Sequence, residues 1–447
     1  MNFTVLAHGA AHLIVKRFMG PFWYRRRWLS KTQWLSESEL KEIQLKLLKR
    51  LVRHCYDTVP YYKTLMDQQG ISVDSIKVLE DINLFPILTK NDLIQAGMSI
   101  ISTKYPKWLM RVANTGGTTG TPLLIWRDLF SVGNNHAFFR RQKDWAGIGL
   151  RDKCAYLTGR IIAEPDKKNG CLYAYDPFMK ELILSTYHLS IDTAKEYAKV
   201  LERYKVKAIE GYPSAVYLLA KTCLDSGIKV KLESALTSSE TLTESMRTTI
   251  AKAFKCKVYD YYGSAERTCV IHTCDYGNYH VIPEYGLTEL VPVDESDNGK
   301  CKIISTGFWN MAMPLIRYDI GDVLVKSDER CPCDRAYPVI KSIIGREGDV
   351  IKAPSGEEFG VTIMIHLLYV ICGANNILET QFIQDALDHI TVEYVPGKRF
   401  SNDDFSIAQK RFVEHLPNEL KIDFKKVKAV RRTPDGKIQP VISQLGL

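Results

Sequence analysis

Between Glu37 and Tyr62 the apolar residues Leu40, Ile43, Leu47, Leu48 and Leu51 recur at three- and four-residue intervals, which predicts a helix that Pro60 ends. The middle of the chain alternates two periods. Helix-like segments at Ile191–Tyr204, Ser214–Asp225 and Thr243–Phe254 are separated by strand-like runs at Val206–Glu210, Leu232–Leu236 and Lys257–Tyr261. Strands alternating with helices predict a largely parallel sheet, and ligands of such sheets bind at the carboxyl ends of the strands. Three turns follow these strands: Glu210-Gly211-Tyr212-Pro213, Thr237-Ser238-Ser239-Glu240 and Tyr262-Gly263-Ser264-Ala265-Glu266. They point to one shared site.

Beyond Glu284 the pattern turns strand-rich, with candidates at Gly286–Val291, Cys301–Ser305 and Val323–Val325. The last hundred or so residues mix a strand (Ile390–Tyr394), a helix (Phe405–Phe412) and a strand (Lys425–Val430). The expected architecture is α/β: a large N-terminal domain over residues 1–344, with a parallel sheet and a strand-rich subdomain, and a small mobile C-terminal α+β domain over residues 345–447. No period of 20–50 residues repeats, which excludes solenoids and propellers.

The densest local signal is Asn114-Thr115-Gly116-Gly117-Thr118-Thr119-Gly120-Thr121-Pro122, followed by the strand-like Leu123-Leu124-Ile125-Trp126. Its glycines let backbone N–H groups approach an anion closely, and its threonine hydroxyls add donors without bulk. It reads as a phosphate cradle. It differs from the GxxxxGK[ST] loop, because no lysine follows the last glycine and a strand comes next.

Together with Tyr261-Tyr262-Gly263-Ser264-Ala265-Glu266, Arg317-Tyr318-Asp319-Ile320-Gly321-Asp322, Gly345-Arg346-Glu347-Gly348-Asp349 and Thr433-Pro434-Asp435-Gly436-Lys437-Ile438, this loop resembles the ordered motif series of adenylate-forming enzymes. Two further segments, His54-Cys55-Tyr56-Asp57-Thr58-Val59-Pro60-Tyr61-Tyr62 and Phe85-Pro86-Ile87-Leu88-Thr89-Lys90, are similar to the phenylacetate-CoA ligase branch and its CapK-type capsular polysaccharide biosynthesis members.

The resemblance implies the adenylating-enzyme fold and a two-step reaction. A carboxylate attacks the α-phosphate of ATP, and an acceptor thiol or amine then displaces AMP from the acyl-adenylate. It implies roles as well. Lys437, Glu266 and Thr118 would be catalytic, with Glu266 on Mg²⁺ and Lys437 bridging acyl carboxylate and phosphate. Thr115, Gly116, Gly117, Thr119, Gly120, Ser239, Glu240, Tyr261, Tyr262, Gly263, Asp322 and Arg346 would surround the nucleotide, Asp322 taking both ribose hydroxyls. One departure stands out: Gly348 occupies a hinge position where relatives usually carry an aspartate. His136, Phe138, Phe139 and Trp145, after the phosphate loop, are candidates to line the acyl pocket.

Cys274 and His280, with Cys331 and Cys333 further along, supply three sulfurs and one imidazole, the donor set of a closed structural zinc site. Cys269 and His272 are nearby substitutes that leave the ligand choice open. The expected cofactors are therefore ATP, Mg²⁺ and structural Zn²⁺, with coenzyme A as one candidate acceptor and a small carboxylic acid as substrate.

Composition narrows the setting. Of 447 residues, 45% are hydrophobic and 25% charged, ordinary values for a globular protein. Eleven cysteines, an odd number, suit a reducing cytoplasmic setting better than a disulfide framework. The apolar stretch Phe3–Val15 is broken by histidines and a glycine and reads as neither signal peptide nor spanning helix. Of the net charge of +9, +7 falls in residues 1–60, where Arg25, Arg26 and Arg27 stand among Phe22, Trp23, Tyr24, Trp28 and Trp34. That start offers peripheral contact with the inner face of a membrane, and no nucleic-acid module accompanies it. A non-catalytic nucleotide-binding scaffold of the same fold is the alternative.

Overall fold

The computed structural model describes residues 13–14, 18, 21–114, 123–160, 162, 172–186, 189, 191–294, 299–346, 350–356, 358–360, 364, 368, 377–397, 400–414, 416–417, 419–431 and 441–445. Its helices are α1 (Phe22–Thr32), α2 (Glu37–Thr58), α3 (Pro60–Gln69), α4 (Lys90–Ala96), α5 (Leu129–Trp145), α6 (Ile191–Tyr204), α7 (Pro213–Asp225), α8 (Glu244–Phe254) and α9 (Asn402–Glu414). Ser36 starts α2 through a capping box, its amide donating to Glu39 Oε2 at 2.8 Å. Pro60 ends that helix as expected, but it also occupies the first turn of α3. A proline there loses no hydrogen bond, because the first-turn N–H groups have no intrahelical acceptor. The predicted stop is thus also a start.

The strands are β1 (Met110–Asn114), β2 (Leu124–Asp128), β3 (Cys154–Leu157), β4 (Tyr173–Asp176), β5 (Glu181–Leu184), β6 (Ala208–Gly211), β7 (Ser234–Ser238), β8 (Lys257–Gly263), β9 (Val270–Thr273) and β10 (Tyr279–Val281). They continue with β11 (Gly286–Pro292), β12 (Lys300–Gly307), β13 (Tyr318–Lys326), β14 (Val339–Arg346), β15 (Val350–Lys352), β16 (Glu358–Gly360), β17 (Ile377–Ala386), β18 (His389–Pro396), β19 (Lys421–Lys426) and β20 (Val441–Ser443). Twelve of them form one sheet in the order β11-β12-β13-β14-β10-β9-β8-β7-β6-β3-β5-β4. The run β5-β3-β6-β7-β8 is parallel, and from β9 to β14 the pairing is antiparallel. This is the predicted α/β sheet with its strand-rich extension.

Every residue of β3 and β5 is buried, as expected of parallel strands covered on both faces. Ala155, Ile209 and Ala235 share a core with Ala198 of α6, Leu219 of α7 and Ile250 of α8. A second core joins Leu48, Leu51 and Cys55 of α2 to Ile303 and Leu324 of β12 and β13. The C-terminal strands form a separate four-stranded sheet, β19-β18-β17-β20. Its last predicted strand lies four residues earlier than expected, at Lys421–Lys426, because parallel pairing to β18 aligns Ile422 with Ile390 and Phe424 with Val392. The hairpin β1-β2 brackets the Thr/Gly loop, and β1 carried too little alternation to be read in advance.

Candidate active site and metal cluster

The carboxyl ends of the parallel strands fall side by side, since Leu157 pairs with Gly211, Gly211 with Thr237, and Ser238 with Tyr261. Gly211 is required there: a Cβ would lie 2.7 Å from the Leu157 carbonyl oxygen. Past β7 the chain turns through Ser239 at φ 72°. Ser239 is exposed and Glu240 half-buried beside it. The three turns predicted to share a site do meet.

Beyond β8, the Tyr262 hydroxyl donates to Asp322 Oδ2 at 2.6 Å. Burial, reinforced by the Asp322 carboxylate, holds the Tyr262 hydroxyl well above its ordinary value, so it stays a donor. A carboxylate has about four acceptor positions, so the bond from Tyr262 does not by itself saturate Asp322. Gly321, at φ 78°, lies where β13 departs from regular pairing with β12, and Asp322 pairs across the sheet with Arg346. Glu266 is half-buried, with the Tyr318 hydroxyl donating to its Oε1 at 3.4 Å. Arg127 of β2 donates to the Ala265 carbonyl. Burial, with Arg267 nearby, lowers the Arg127 guanidinium to about 10.

The two segments similar to the phenylacetate branch serve as anchors for β13. The Ile316 amide donates to the buried Tyr62 hydroxyl at 2.9 Å, and His54 Nε2 meets the Met311 carbonyl at 2.8 Å. Arg317 forks onto Glu289 at 2.7–3.1 Å and reaches the Phe85 carbonyl at 2.8 Å. The Leu88 amide donates to the Arg317 carbonyl at 2.9 Å, and the Asp319 amide donates to the Leu88 carbonyl at 2.9 Å. These contacts fix where Asp322 stands.

The Tyr261 ring lies 4.0 Å from that of Phe139. Of the four candidates on α5, His136 and Phe139 border a cavity beside this point, and Phe138 and Trp145 do not. Phe138 is buried against Tyr285, and Trp145 packs on His272 and Tyr337. The helical period explains the split: residues 136, 139, 140 and 143 share one face of α5, and 138, 141 and 145 the other. Lys143, Tyr156, Arg160, Glu181, Glu210 and Arg267 also line the cavity. Of these only Glu210 had been marked, as a strand-end residue; the adjacency of Arg267 to Glu266 was the signal for another. Thr115, Gly116, Gly117, Thr118, Thr119 and Gly120, with Gly348 and Lys437, lie outside the described residues.

The sulfur and imidazole atoms of Cys274, His280, Cys331 and Cys333 all lie within 4.8 Å of one another. Cys274 Sγ is 3.5 Å from Cys331 Sγ, and Cys333 Sγ is 3.5 Å from His280 Nε2. A tetrahedral zinc with bonds of about 2.0–2.3 Å separates its ligands by about 3.5–3.8 Å. The donor set therefore fits. His280 Nδ1 faces the Tyr337 carbonyl at 3.4 Å, and Asn278 donates to Cys331 Sγ at 3.1 Å, the supporting contacts such ligands need. Burial lowers His280 to about 4, which keeps its ring neutral. The alternatives are resolved: Cys269 takes a hydrogen bond from Thr288, and His272 is buried between the Trp145 and Tyr261 rings. All nine described cysteines are free thiols.

The basic start is partly internal. Arg25 is buried 3.6 Å over the Trp309 ring and donates to Asn134, and Arg26 pairs with Asp144. Trp23, Tyr24 and Arg27 stay exposed. Among the described residues no helix is long and apolar enough to cross a membrane.

Residues 356–444 match the family described as the CapK C-terminal domain. Protein CapK of Staphylococcus aureus is 26% identical over 436 residues, covering 94% of this chain and 93% of the relative. Phenylacetate-coenzyme A ligase of Thermus thermophilus is 25% identical over 330 residues, 71% of this chain and 72% of the relative. Among solved structures, 2-hydroxyisobutyryl-CoA ligase with 2-HIB-AMP and CoA superposes with a TM-score of 0.59 at 18% identity, covering 93% and 91% of the two chains. The same enzyme in its postadenylation state gives 0.57 at 16% identity, over 96% and 94%. The chain is thus a homologue of Protein CapK and of the phenylacetate-coenzyme A ligases, with a CapK C-terminal domain and the fold of the adenylate-forming acyl-CoA ligases.

Proposed function

We propose that the chain is an adenylate-forming acyl-CoA ligase. An oxygen of the acid attacks the α-phosphorus of ATP as the bond to pyrophosphate breaks. The coenzyme A thiol then attacks the acyl carbon, loses its proton and releases AMP. The observation that carries this reading is the Tyr262–Asp322 pair beside Glu266 at the carboxyl ends of the parallel strands. The pair orients one face of a carboxylate toward the hydroxyls of a ribose, and the homology to phenylacetate-coenzyme A ligases supports the reaction class.

Glu266 offers a half-buried hard oxygen, which fits Mg²⁺. Bound there, Mg²⁺ would neutralise phosphate charge. Ser239, Glu240, Tyr261, Gly263 and Arg346 would border the nucleotide. Lys437, in the turn Asp435-Gly436-Lys437, would bridge the acyl carboxylate and the phosphate as negative charge develops. The division into residues 1–344 and 345–447 belongs to this reading, with Gly345 at φ 98° in the joint. So does a zinc ion on Cys274, His280, Cys331 and Cys333. An amine acceptor, in surface polysaccharide assembly, is the second form of transfer, and exposed Trp23, Tyr24 and Arg27 would supply peripheral membrane contact.

Acid-dependent exchange of pyrophosphate into ATP tests the reading, followed by transfer with coenzyme A or amines. Lys437→Ala is expected to slow exchange about 100- to 1,000-fold, and Asp322→Asn to weaken ATP binding about 10- to 100-fold. ATP binding without exchange for any acid would favour the scaffold alternative.

A further inference from the structure

We propose that the acid held at this site carries hydroxyl or amino groups, because two ion pairs stand in the wall of the cavity beside the strand ends, next to the apolar Val132, Phe139, Leu150 and Met179. The inference rests on the ligase reading for the word "substrate" and on the cavity alone for the preference. The space is about 250 Å³, suited to a small acid. Phe139 joins it to the motif strand through its contact with Tyr261, and Arg267, the residue after Glu266, lies in its wall.

Two charge pairs form the far wall. Lys143 Nζ is 2.5 Å from Glu210 Oε2 and donates to the Tyr156 hydroxyl at 2.6 Å. Arg160 Nη1 is 2.5 Å from Glu181 Oε2, with its guanidinium 4.9 Å over the Tyr156 ring. Arg140 adds a third cation. Its side chain is 6% exposed, Nε is held by Asp144, and Nη2 has no partner among the described residues.

A phenyl or alkyl group in this space would strip water from these ions and return no hydrogen bond, a penalty that such pairs do not recover by themselves. A hydroxyl or amine replaces that water bond for bond, accepting from Lys143 or Tyr156 and donating to Glu210 or Glu181. Sites built around a substrate polar group reject the analogue that lacks it far more strongly than apolar pockets discriminate methylenes. The same walls that favour a polar acid therefore exclude an apolar one.

Calorimetric titration of the full chain tests the preference directly, with glycerate, gluconate, serine and alanine against propionate, hexanoate and phenylacetate. At least one hydroxy or amino acid should bind about 100-fold more tightly than its apolar counterpart. Tyr156→Phe should cost that acid about 10-fold, and Lys143→Met combined with Glu210→Met about 100-fold while improving hexanoate. Should the double variant fail to fold, the Tyr156→Phe loss still decides. Equal or tighter binding of hexanoate or phenylacetate overturns the proposal, as does the absence of binding by every hydroxy and amino acid. Pyrophosphate exchange on the same panel separates the two claims. Preferential binding without exchange overturns the ligase reading and keeps the preference; exchange supported best by phenylacetate does the reverse.

Discussion

Arg141 and Lys143 stand two residues apart on α5, and each forms an ion pair, buried for Arg141 and half-buried for Lys143, yet the pairs differ in what surrounds them. Arg141 Nη1 lies 2.9 Å from Glu284 Oε1, which also accepts from Thr32 at 2.8 Å and Tyr337 at 2.7 Å. Lys143 meets Glu210 in a cavity wall. Both cations are held above their ordinary values: burial opposes this in each case, and the partner carboxylate overcomes it. One network is walled in by protein side chains, with Arg141 Nε and Nη2 and Glu284 Oε2 lacking a hydrogen-bond partner among the described residues, and ties α1 and α5 to the turn before β11. The other opens on space that a ligand can share. Burial of charge alone therefore does not mark function; the open side does.

The largest expected effect tests the closed network. Arg141→Met leaves Glu284 buried without its cation and should cost about 3–5 kcal/mol in denaturant unfolding. A loss below about 1 kcal/mol would show that the network is less dry than its packing. The cysteine cluster is the second closed set. Protein purified without added zinc should carry about one equivalent, and Cys333→Ser should lose it and lower the melting temperature, as expected for a site whose metal contributes to folding. Full metal content in that variant would remove Cys333 from the ligand set.

A smaller effect is expected at the open pair. Replacing both Lys143 and Glu210 with methionine should change stability by only about 1 kcal/mol, because no unpaired charge remains. A loss as large as that of Arg141→Met would erase the distinction between the two faces of α5. The smallest effect belongs to the surface. Hydrogen bonds to Asp385, then to Asp423, raise the His389 pKa. The folded value thus exceeds the unfolded one of about 6.5, so the contribution is full below that pH and fades as pH rises through the folded value. Solvent screening limits it to about 0.5 kcal/mol. The stability difference between the wild type and His389→Asn should shrink as pH rises above about 6.5; a constant difference would mean that the imidazole charge has no part in it.

Much of this arrangement was legible in the sequence. The helix Ile191–Tyr204 lies where its period placed it, and β6, β7 and β8 fall within three residues of their expected starts. Local period and turn residues determine such elements without help from distant chain. The cluster of Cys274, His280, Cys331 and Cys333 was legible as a set, but not the choice against Cys269 and His272, since that depends on which strands pair. The acyl-side residues were mixed: His136 and Phe139 border the cavity, and Phe138 and Trp145 belong to the core.

The sequence by itself determined the alternation of strands and helices, the turns that end the strands, and the residue types available for phosphate, magnesium and zinc. Only the tertiary structure decided that Asp322 faces Tyr262, that Cys331 and Cys333 close on Cys274 and His280, and that Lys143 rather than Arg141 opens on the cavity. The physical reason is range. Periodicity and turn chemistry act over a few neighbouring residues, whereas these pairings join groups 53 to 67 positions apart, whose meeting depends on strand order and on which helix face the sheet covers.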